Sequence, residues 1–392
     1  MKNKLIVLLL FLVIVPGKTV LFAQQNNGEM NVIHTVVPFL IIAPDSRAGG
    51  MGDAGVATSP DVNSMHWNPA KFAFIDGKGG AGLSYAPWLR NLVPDINIAY
   101  LTGYKRIDRK QVISGGLLYS SLGDIEFRDE YSPDPTMIFK ANEFAFELGY
   151  SRLLTDNFSG GIAFRYINSN LTGGVPLSGG AETKPGRSFA ADISGYYQKD
   201  ISLFDKDGLM AFGLNFSNLG SKMSYSDDQT SDFIPMNMRL GGSGTILLDS
   251  YNSITLTLDL NKLLVPTPPI YYNKALSDSI VAGKDPNVSV PVAIFQSFYD
   301  APGGFKEEMH EISYALGVEY WYNNQFAIRT GYFHEHETKG NRKYFTAGAG
   351  FRMKSFSLDF SYLMPLVQNH PLARTLRFSL AFDFNALRNA GK

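Results

Sequence analysis

The sequence of 392 residues carries 35 basic and 36 acidic side chains, and its formal net charge of −1 excludes the broad positive surface that nucleic-acid binding requires. It contains no Cys, which excludes a disulfide framework and a thiolate metal site. Its 38 Gly, 20 Tyr and 28 Phe, with only 18% charged residues, favour many short strands with aromatic side chains over helices.

The first 23 residues predict export from the cytoplasm. Lys2 and Lys4 precede an apolar run at 5–15, and a break at Pro16 leads to a cleavage site after Ala23. The run is much shorter than the roughly 20 residues that a transmembrane helix needs. Residues 1–23 are therefore interpreted as a cleaved signal peptide, and residues 24–37 as an N-terminal segment on the periplasmic side.

A glycine-rich segment follows at 38–78. Its glycines permit positive φ angles and a close approach to other parts of the chain, which indicates compact irregular structure packed against something else. A turn is expected at its Asn-Pro step, because the residue before proline is pushed out of the helical region. The residues predicted to shape the segment are Gly49, Gly50, Gly52, Gly55, Trp67, Asn68 and Pro69. Glycine content alone would also suit a surface loop. The rest of the chain decides between a surface loop and a segment packed against another part of the protein.

From residue 79 to 384 the sequence shows fourteen segments in which apolar or aromatic residues alternate with small or polar ones. In 143–150, for example, aromatic and aliphatic side chains share one face and two glutamates share the other. The predicted segments are 81–87, 95–105, 111–120, 143–150, 157–167, 187–198, 208–217, 235–248, 254–260, 311–321, 325–333, 343–352, 356–362 and 376–384. Such alternation suits a soluble sandwich with its apolar face inward as well as a membrane barrel with its apolar face in lipid.

The connections between these segments separate the two folds. Connections such as 106–110 and 153–156 are short, and they alternate with mostly long ones such as 121–141 and 261–310. Outer-membrane barrels alternate short periplasmic turns with longer outside loops. The sequence therefore predicts an all-β protein, a transmembrane antiparallel β-barrel of about 14 strands at 79–384.

Fourteen strands would enclose a lumen wider than side chains alone can fill, so the segment at 38–78 is predicted to be a hatch folded into that lumen. By the alternation, charged side chains of the strands also face the lumen, where opposite charges are expected to pair. These side chains are Arg165, Arg239, Arg329 and Arg377 with Glu143, Glu147, Asp192, Asp259, Glu311, Glu319, Asp359 and Asp383. Residues 385–392 are interpreted as a C-terminal tail.

The long connection at 261–310 is unusually apolar for an outside loop. Such a surface is a liability unless it packs on a partner, and its prolines favour an extended, pre-ordered arm. The candidate docking residues are Leu264, Val265, Pro266, Pro268, Pro269, Ile270, Tyr271 and Tyr272. Two interpretations remain open, namely that the arm docks a partner or that it folds down over the barrel mouth.

The stretch 46–71, from Ser-Arg-Ala-Gly-Gly-Met-Gly-Asp-Ala-Gly to His-Trp-Asn-Pro-Ala-Lys, is similar to the hatch of the FadL-like outer-membrane family. With Leu-Ser-Tyr-Ala-Pro-Trp-Leu-Arg at 83–90, it resembles more narrowly the PorV family, also called LptO, of the Bacteroidetes type IX secretion system. The resemblance implies a carrier in the outer membrane of a Gram-negative bacterium. Such a carrier collects cargo by its C-terminal signal domain from the large translocon barrel. It passes the cargo to a surface complex with a PorU-type sortase, which attaches it to lipopolysaccharide.

A diffusion transporter for hydrophobic molecules, as FadL-like barrels commonly are, is the alternative function. It would need an exit through the barrel wall, and the glycine cluster at 241–244 is a candidate, although contact with the hatch explains that cluster as well. An enzyme is not expected. His334, Glu335 and His336 fall in an outside loop and lack the helical spacing of a zinc protease motif. The sequence predicts no cofactor, no metal site and no catalytic residue.

Overall fold

The structure is a computed structural model. It describes residues 30–384 except for 91–92, 94, 129–133, 175–182, 204, 227–230, 274–276 and 368–369. The predicted signal peptide at 1–23, residues 24–29 and the predicted tail at 385–392 lie outside the described residues. No helix in the described part of the chain is long and apolar enough to cross a membrane.

Within these ranges the chain forms sixteen strands, and fourteen of them close into one barrel in which neighbours are antiparallel. The strands are β1 Gly79–Pro87, β2 Ile96–Arg106, β3 Gln111–Arg128, β4 Pro135–Leu153, β5 Phe158–Asn170, β6 Gly186–Leu203, β7 Lys206–Gly220, β8 Asn237–Leu247, β9 Asn252–Leu263, β10 Ile270–Asn273, β11 Ser277–Ala282, β12 Ser313–Tyr322, β13 Phe326–His334, β14 Lys343–Arg352, β15 Phe356–Pro365 and β16 Leu376–Asp383. β10 and β11 form a separate hairpin. The barrel closes where β1 pairs with β16, from Gly80 opposite Asp383 to Tyr85 opposite Phe378. The predicted fourteen-stranded barrel is confirmed.

The exposure of the strand side chains is the reverse of that in a soluble protein. In β5, Phe164 points outward and is 64% exposed, whereas the neighbouring Arg165 points into the barrel and is 5% exposed. In β4, Leu148 is exposed and Glu147 is buried. An apolar outer face suits lipid, and a closed ring leaves no strand edge whose backbone groups would go unpaired there. The strand faces therefore identify a membrane barrel rather than a soluble sandwich.

The hairpin of β3 and β4 is longer than predicted. These strands have 18 and 19 residues and extend through much of the region 121–141, which the sequence pattern predicts to be a loop. Their register shifts between Ser121 and Asp124, where Gly123 has a φ of +83°. The shift interrupts the alternation of side chains, and alternation is the signal on which the strand prediction rests.

The segment before β1 lies inside the barrel. It contains two short helices, α1 Ser46–Gly49 and α2 Ser64–Trp67, and two 3₁₀ helices, Pro38–Ile41 and Pro69–Phe74. Its backbone donates hydrogen bonds to strands in different parts of the ring at 2.8 to 3.0 Å: Ser46 N to Ser379 Oγ, Gly52 N to Thr346 Oγ1, Val56 N to Asp259 Oδ2 and Ala70 N to Ser194 Oγ. We keep the name hatch for this segment, because bonds to opposite walls require that it fill the lumen.

The outer mouth is the end of the barrel that carries the long connections. Its largest element is the mouth loop, residues 264–312, between β9 and β12. This loop contains the β10–β11 hairpin and two short helices, α3 Val290–Gln296 and α4 Phe305–His310.

Residues 30–37 also lie at the outer mouth, so the prediction that they are periplasmic is wrong. Asn31 N donates to Thr338 O in the β13–β14 connection at 3.0 Å, and Asn31 Nδ2 donates to Glu307 Oε1 in the mouth loop at 2.9 Å. From there the chain descends through the lumen and reaches the other end of the barrel where β1 begins, at Gly79. The sequence of the hatch has no periodicity, so the sequence does not indicate at which end of the lumen the segment begins.

Candidate functional site

Two glycines of the hatch lie where a side chain would collide with a neighbour. A Cβ at Gly55 would stand 2.4 Å from Trp67 Cδ2, so the indole packs directly on the Gly55 backbone. Gly52 has a φ of +69°, and a Cβ there would stand 2.7 Å from Tyr332 N in β13. At Gly55 the hatch therefore packs one of its own side chains on its backbone, and at Gly52 it meets the barrel wall backbone to backbone, which only glycine allows at these positions.

The ends of the hatch helices are fixed by side-chain hydrogen bonds. Asp45 caps α1, because its Oδ2 accepts from Ala48 N at 2.9 Å, and its Oδ1 accepts from Trp67 Nε1 at 2.6 Å. Asn68 precedes the 3₁₀ helix that Pro69 begins, and its extended φ and ψ of −165° and 98° are those that a following proline favours. The predicted turn thus lies in the lumen as part of the hatch core.

The end of α1 is held against the barrel wall. A Cβ at Gly49 would stand 2.5 Å from Arg377 Nη1, and one at Gly50 would stand 3.2 Å from the Gly348 Cα. Arg377 Nη1 pairs with Asp53 of the hatch at 3.1 Å. Strand β16 therefore supplies both a steric and an ionic contact to the same turn.

A buried network of five charges joins the hatch to β12, β13 and β15. Arg47 of the hatch pairs with Glu319 at 2.8 Å and with Asp61 at 2.9 Å. Glu319 also accepts from Arg329 at 2.7 Å, and Arg329 pairs with Asp359 at 2.6 Å. Each buried charge has a partner of opposite sign, which the low polarity of the interior demands.

A second network lies within the wall itself. Arg165 pairs with Glu147 at 2.8 Å and with Asp192 at 3.2 Å, and it also donates to the side chain of Asn218. The pairing that the sequence predicts for lumen charges is confirmed here and in the networks of the preceding paragraphs. These contacts join the hatch to the wall and the wall strands to one another.

The glycine cluster at 241–244 is a contact with the hatch. β8 pairs in continuous register with both β7 and β9 across this cluster. A Cβ at Gly241 would stand 2.5 Å from Val56 Cγ1 of the hatch. Of the two explanations that the sequence left open, contact with the hatch therefore applies. β8 has no bulge at these glycines.

A third ionic network closes the outer mouth. Lys262 pairs with Glu308 at 3.0 Å and with Glu311 at 2.6 Å. Lys339 pairs with Glu307 at 2.6 Å and with Glu311 at 3.0 Å. The network joins β9, the mouth loop and the β13–β14 connection, and the sequence analysis anticipated only Glu311 of its members.

Asp300 lies at the inner edge of this network. Its Oδ2 accepts from Thr267 N at 3.2 Å. Burial raises the pKa of Asp300 to about 6, against the lowering effect of that hydrogen bond, and the nearby Glu308 and Glu311 raise it further. The mouth loop therefore contains a carboxyl group that titrates near neutral pH.

The first candidate docking residues are buried. Leu264 and Val265 are 0% and 2% exposed and belong to the main apolar core together with Val37. Leu264 N donates to Met236 O at 2.8 Å, which ties the start of the mouth loop to the residue before β8.

The other six candidate docking residues divide into two groups. Three prolines at the base of the mouth loop are buried or half-buried: Pro266, Pro268 and Pro269. Three residues at the start of β10 are exposed or half-exposed: Ile270, Tyr271 and Tyr272. Of the two interpretations left open, folding down over the barrel mouth applies to 264–269, because these side chains are buried or half-buried there.

A further apolar surface lies on α3 and the turn after it. Val292, Phe295, Phe298 and Tyr299 are 48%, 71%, 44% and 59% exposed, whereas Ala293 on the opposite side of the helix is fully buried. Within α3 the spacing of three residues places Val292 and Phe295 on one face, and Phe298 and Tyr299 follow in the turn after the helix. We call these four residues the outer apolar surface.

Comparison with known proteins identifies the family. A family model described as "Type IX secretion system protein PorV" matches residues 23–270. The chain belongs to the PorV family. As a PorV-family barrel it is an outer-membrane component of the type IX secretion system. No curated protein matches the chain at a significant level.

Several solved structures of barrel proteins are similar to this PorV-family chain. The Pseudomonas putida toluene transporter TodX is 13% identical with a TM-score of 0.44, covering 90% of this chain and 98% of TodX. A Pseudomonas aeruginosa FadL homologue is 12% identical with a TM-score of 0.44, covering 90% of this chain and 99% of its own. The TodX deltaS2S3 mutant, a monoaromatic hydrocarbon channel, is 14% identical with a TM-score of 0.48, covering 87% and 99%.

Proposed function

We propose that the chain is a carrier that binds the C-terminal signal domain of cargo leaving the large translocon barrel. It then delivers the cargo to a PorU-type sortase complex at the cell surface, among outer-membrane lipid and lipopolysaccharide. It performs no catalysis in this role. Membership of the PorV family supports the place in type IX secretion, and the resemblance at 46–71 and 83–90 supports the carrier role.

The observation that carries this proposal is the outer apolar surface. Large aromatic side chains that face water at one end of a protein mark an interaction site, and aromatic residues dominate the energetics of interfaces. Ala293 anchors α3 in the core beneath this surface, so the aromatic residues are held on a fixed platform. A pre-organised platform loses little conformational entropy on binding.

The plugged lumen supports binding over conduction. The hatch contacts strands around the ring, and the mouth loop covers the outer end with Leu264 and Val265 buried beneath it. The buried ion pairs of Arg47 with Asp61 and Glu319 hold the hatch in this position.

The test compares three tagged forms of the chain purified from native outer membranes: wild type, the double variant Phe295→Ser and Phe298→Ser, and the control Leu154→Ser. Leu154 is 60% exposed in a short turn at the opposite end of the barrel, so its replacement removes an exposed apolar side chain far from the outer mouth. Mass spectrometry should find the translocon barrel and cargo that retains its signal domain with wild type and Leu154→Ser, and much less of both with the double variant. Retained heat-modifiable mobility would show that each variant is folded.

Two results would contradict the proposal. Equal recovery of cargo by all three forms would remove the outer apolar surface as the docking site. Alternatively, the wild-type barrel is recovered without partners, and cells lacking it lose uptake of a hydrophobic compound while secretion continues. These results together would favour the diffusion transporter.

Removal of the signal peptide after Ala23 belongs to the same proposal. Sequencing of the membrane-inserted protein from its N-terminus should then begin at Gln24. A sequence beginning at Met1 would contradict cleavage.

A further inference from the structure

A chamber of about 100 Å³ lies between the hatch and the outer mouth. Trp67 of the hatch, Arg239 of β8, Asn261 of β9, Phe333 of β13 and Ile33 of the N-terminal segment are among the residues that line it. The volume exceeds that of a single water molecule several times over. It accommodates a carboxylate and the atoms next to it.

Arg239 faces this chamber as a buried cation, and Asp259 of β9 is the main negative charge in its surroundings. Its side chain is 5% exposed, and its guanidinium lies 4.7 Å from the centre of the Trp67 ring. Nη1 donates to His66 O at 3.0 Å, and with the Asn237 amide turned to satisfy both of its polar atoms, Nε donates to its oxygen at 3.3 Å. Among the described residues, Arg239 forms no ion pair with a carboxylate.

The other charged side chains that line the chamber are neutralised. Three carboxylates there have basic partners: Asp53 with Arg377 at 3.1 Å, Glu335 with Arg342 at 2.7 Å, and Glu311 with Lys339 at 3.0 Å. A buried unpaired guanidinium is costly, and such groups normally have a partner. The guanidinium of Arg239 is therefore the charged group of the chamber lining that has no direct ion pair among the described residues.

Asn261 lies beside Arg239 with an unsatisfied acceptor. The two residues are direct partners in the β8–β9 register, which places their Cβ atoms about 4.5–5.5 Å apart. Asn261 Oδ1 is buried and accepts no hydrogen bond within the described part of the chain. A charged donor and a neutral acceptor thus stand side by side at the chamber wall.

We propose that this pair binds the C-terminal residue of a peptide. The guanidinium fork of Arg239 matches a carboxylate, and Asn261 Oδ1 would accept the backbone N–H that precedes that carboxylate by two bonds. A fatty acid offers a carboxylate but no N–H for Asn261. Trp67 and Phe333 supply apolar walls for the last side chain.

This inference rests on the proposed carrier function and names the part of the cargo that is recognised. The signal domain lies at the C-terminus of the cargo, so its terminal carboxylate is the chemical group that distinguishes a complete signal domain from a truncated one. Ile33 brings the N-terminal segment to the chamber, and that segment lies at the outer mouth, where cargo would arrive.

The test is a fluorescence titration of the purified full chain in detergent. Trp67 and Trp88 line the chamber and report on its occupancy. The ligands are N-acetyl-Gly-Ala-Val with a free carboxylate, the same tripeptide as its C-terminal amide, and dodecanoate. The variants are Arg239→Met, which removes the charge, Arg239→Lys, which keeps it, and Asn261→Leu.

The wild type should bind the free carboxylate at least about tenfold more tightly than the amide, because a hydrogen-bonded charge is lost in the amide. Arg239→Met should bind both equally weakly, and Arg239→Lys should keep a reduced preference. Asn261→Leu should weaken peptide binding several-fold and leave the preference for the carboxylate. Equal binding of the two peptides by the wild type, tighter binding of dodecanoate than of the peptide, or an undiminished preference in Arg239→Met would overturn the proposal.

Cargo purification from cells that express Arg239→Met separates this inference from the carrier role. Undiminished recovery of cargo by the folded variant would overturn recognition of the carboxylate and leave the carrier role standing. If the wild type itself recovers no cargo, the carrier role is contradicted. The preference for a peptide carboxylate, measured in detergent, would then describe ligand binding in the chamber and not cargo recognition.

Discussion

Arg47 of the hatch and Glu319 of β12 form a bidentate ion pair, with Nε 3.0 Å from Oε2 and Nη2 2.8 Å from Oε1. The two side chains are 7% and 2% exposed. Both side chains are shielded from water and each has a second partner, Asp61 for Arg47 and Arg329 for Glu319, so the pair fastens the hatch to the wall as part of a buried network.

We expect Arg47→Met to lower the free energy of unfolding by about 3–5 kcal/mol, because Glu319 and Asp61 lose a shared buried partner. The control is Arg342→Met, whose side chain is 40% exposed and whose pair with Glu335 should contribute at most about 1 kcal/mol. Equilibrium urea unfolding in lipid vesicles measures both variants. Equal losses of unfolding free energy in the two variants would show that burial does not determine how much these ion pairs stabilise the protein.

Gly52→Ala should displace the hatch from β13. The backbone has a φ of +69°, and the new methyl group would meet the Tyr332 backbone at 2.7 Å. Gly174→Ala is the matched control, because Gly174 has a φ of +82° but no atom within 4 Å of the added Cβ, so only the backbone strain remains, about 1–2 kcal/mol. Thermal unfolding should show a clearly larger loss for Gly52→Ala. A loss no larger than that of Gly174→Ala would mean that the hatch can shift freely.

The mouth loop should be more stably packed at pH 5 than at pH 7. Burial raises the pKa of Asp300 from 3.8 to about 6, so its contribution to stability is full below pH 3.8 and is lost as the pH rises through about 6. Hydrogen exchange over 297–311, corrected for the intrinsic pH dependence of exchange, measures this packing. Asp300→Asn should remove the difference between the two pH values, and Asp285→Asn, in the same loop, should retain it. If Asp300→Asn still shows the difference in exchange between pH 5 and pH 7, another titrating group causes that difference.

Residue 30 should be accessible from outside the cell. Met30 is 70% exposed and precedes Asn31, which is bonded to two outer-mouth elements. The chain has no Cys, so Met30→Cys introduces a single thiol for a membrane-impermeant maleimide applied to intact cells. Leu154→Cys, exposed at the opposite end, should react only after the outer membrane is permeabilised. Labelling of position 154 but not of position 30 in intact cells would show that the barrel has the opposite orientation in the membrane.

The barrel could be predicted from the sequence because lipid and lumen impose a period of two on each strand, as Phe164 and Arg165 illustrate. The hatch could be predicted because close backbone contacts select glycine, as at Gly55. The continuation of β3 and β4 could not, because the side-chain alternation breaks at Gly123, where their register shifts.

The candidate site was harder to predict, because apolar composition does not distinguish a buried segment from a docking segment. Leu264 is as apolar as Phe295, yet one is fully buried and the other is 71% exposed. The exposure of Val292 and Phe295 on one face of α3 was not visible in the sequence, because a helix of seven residues is too short to show a clear period. The isolation of Arg239 was not visible in the sequence, because it depends on which strands become neighbours in the closed ring.

The hydroxyl of Ser379 joins the seam of the barrel to its hatch. It accepts from Ser46 N at 2.9 Å and lies 2.7 Å from Ser84 Oγ of β1, so the last strand meets both the first strand and the plug at one atom. Synthesis delivers residue 46 long before residue 379, and the ring cannot make this contact until its final strand arrives. This contact therefore forms only when the ring has closed and the hatch lies in place, and a chain whose hatch is misplaced lacks it at the seam.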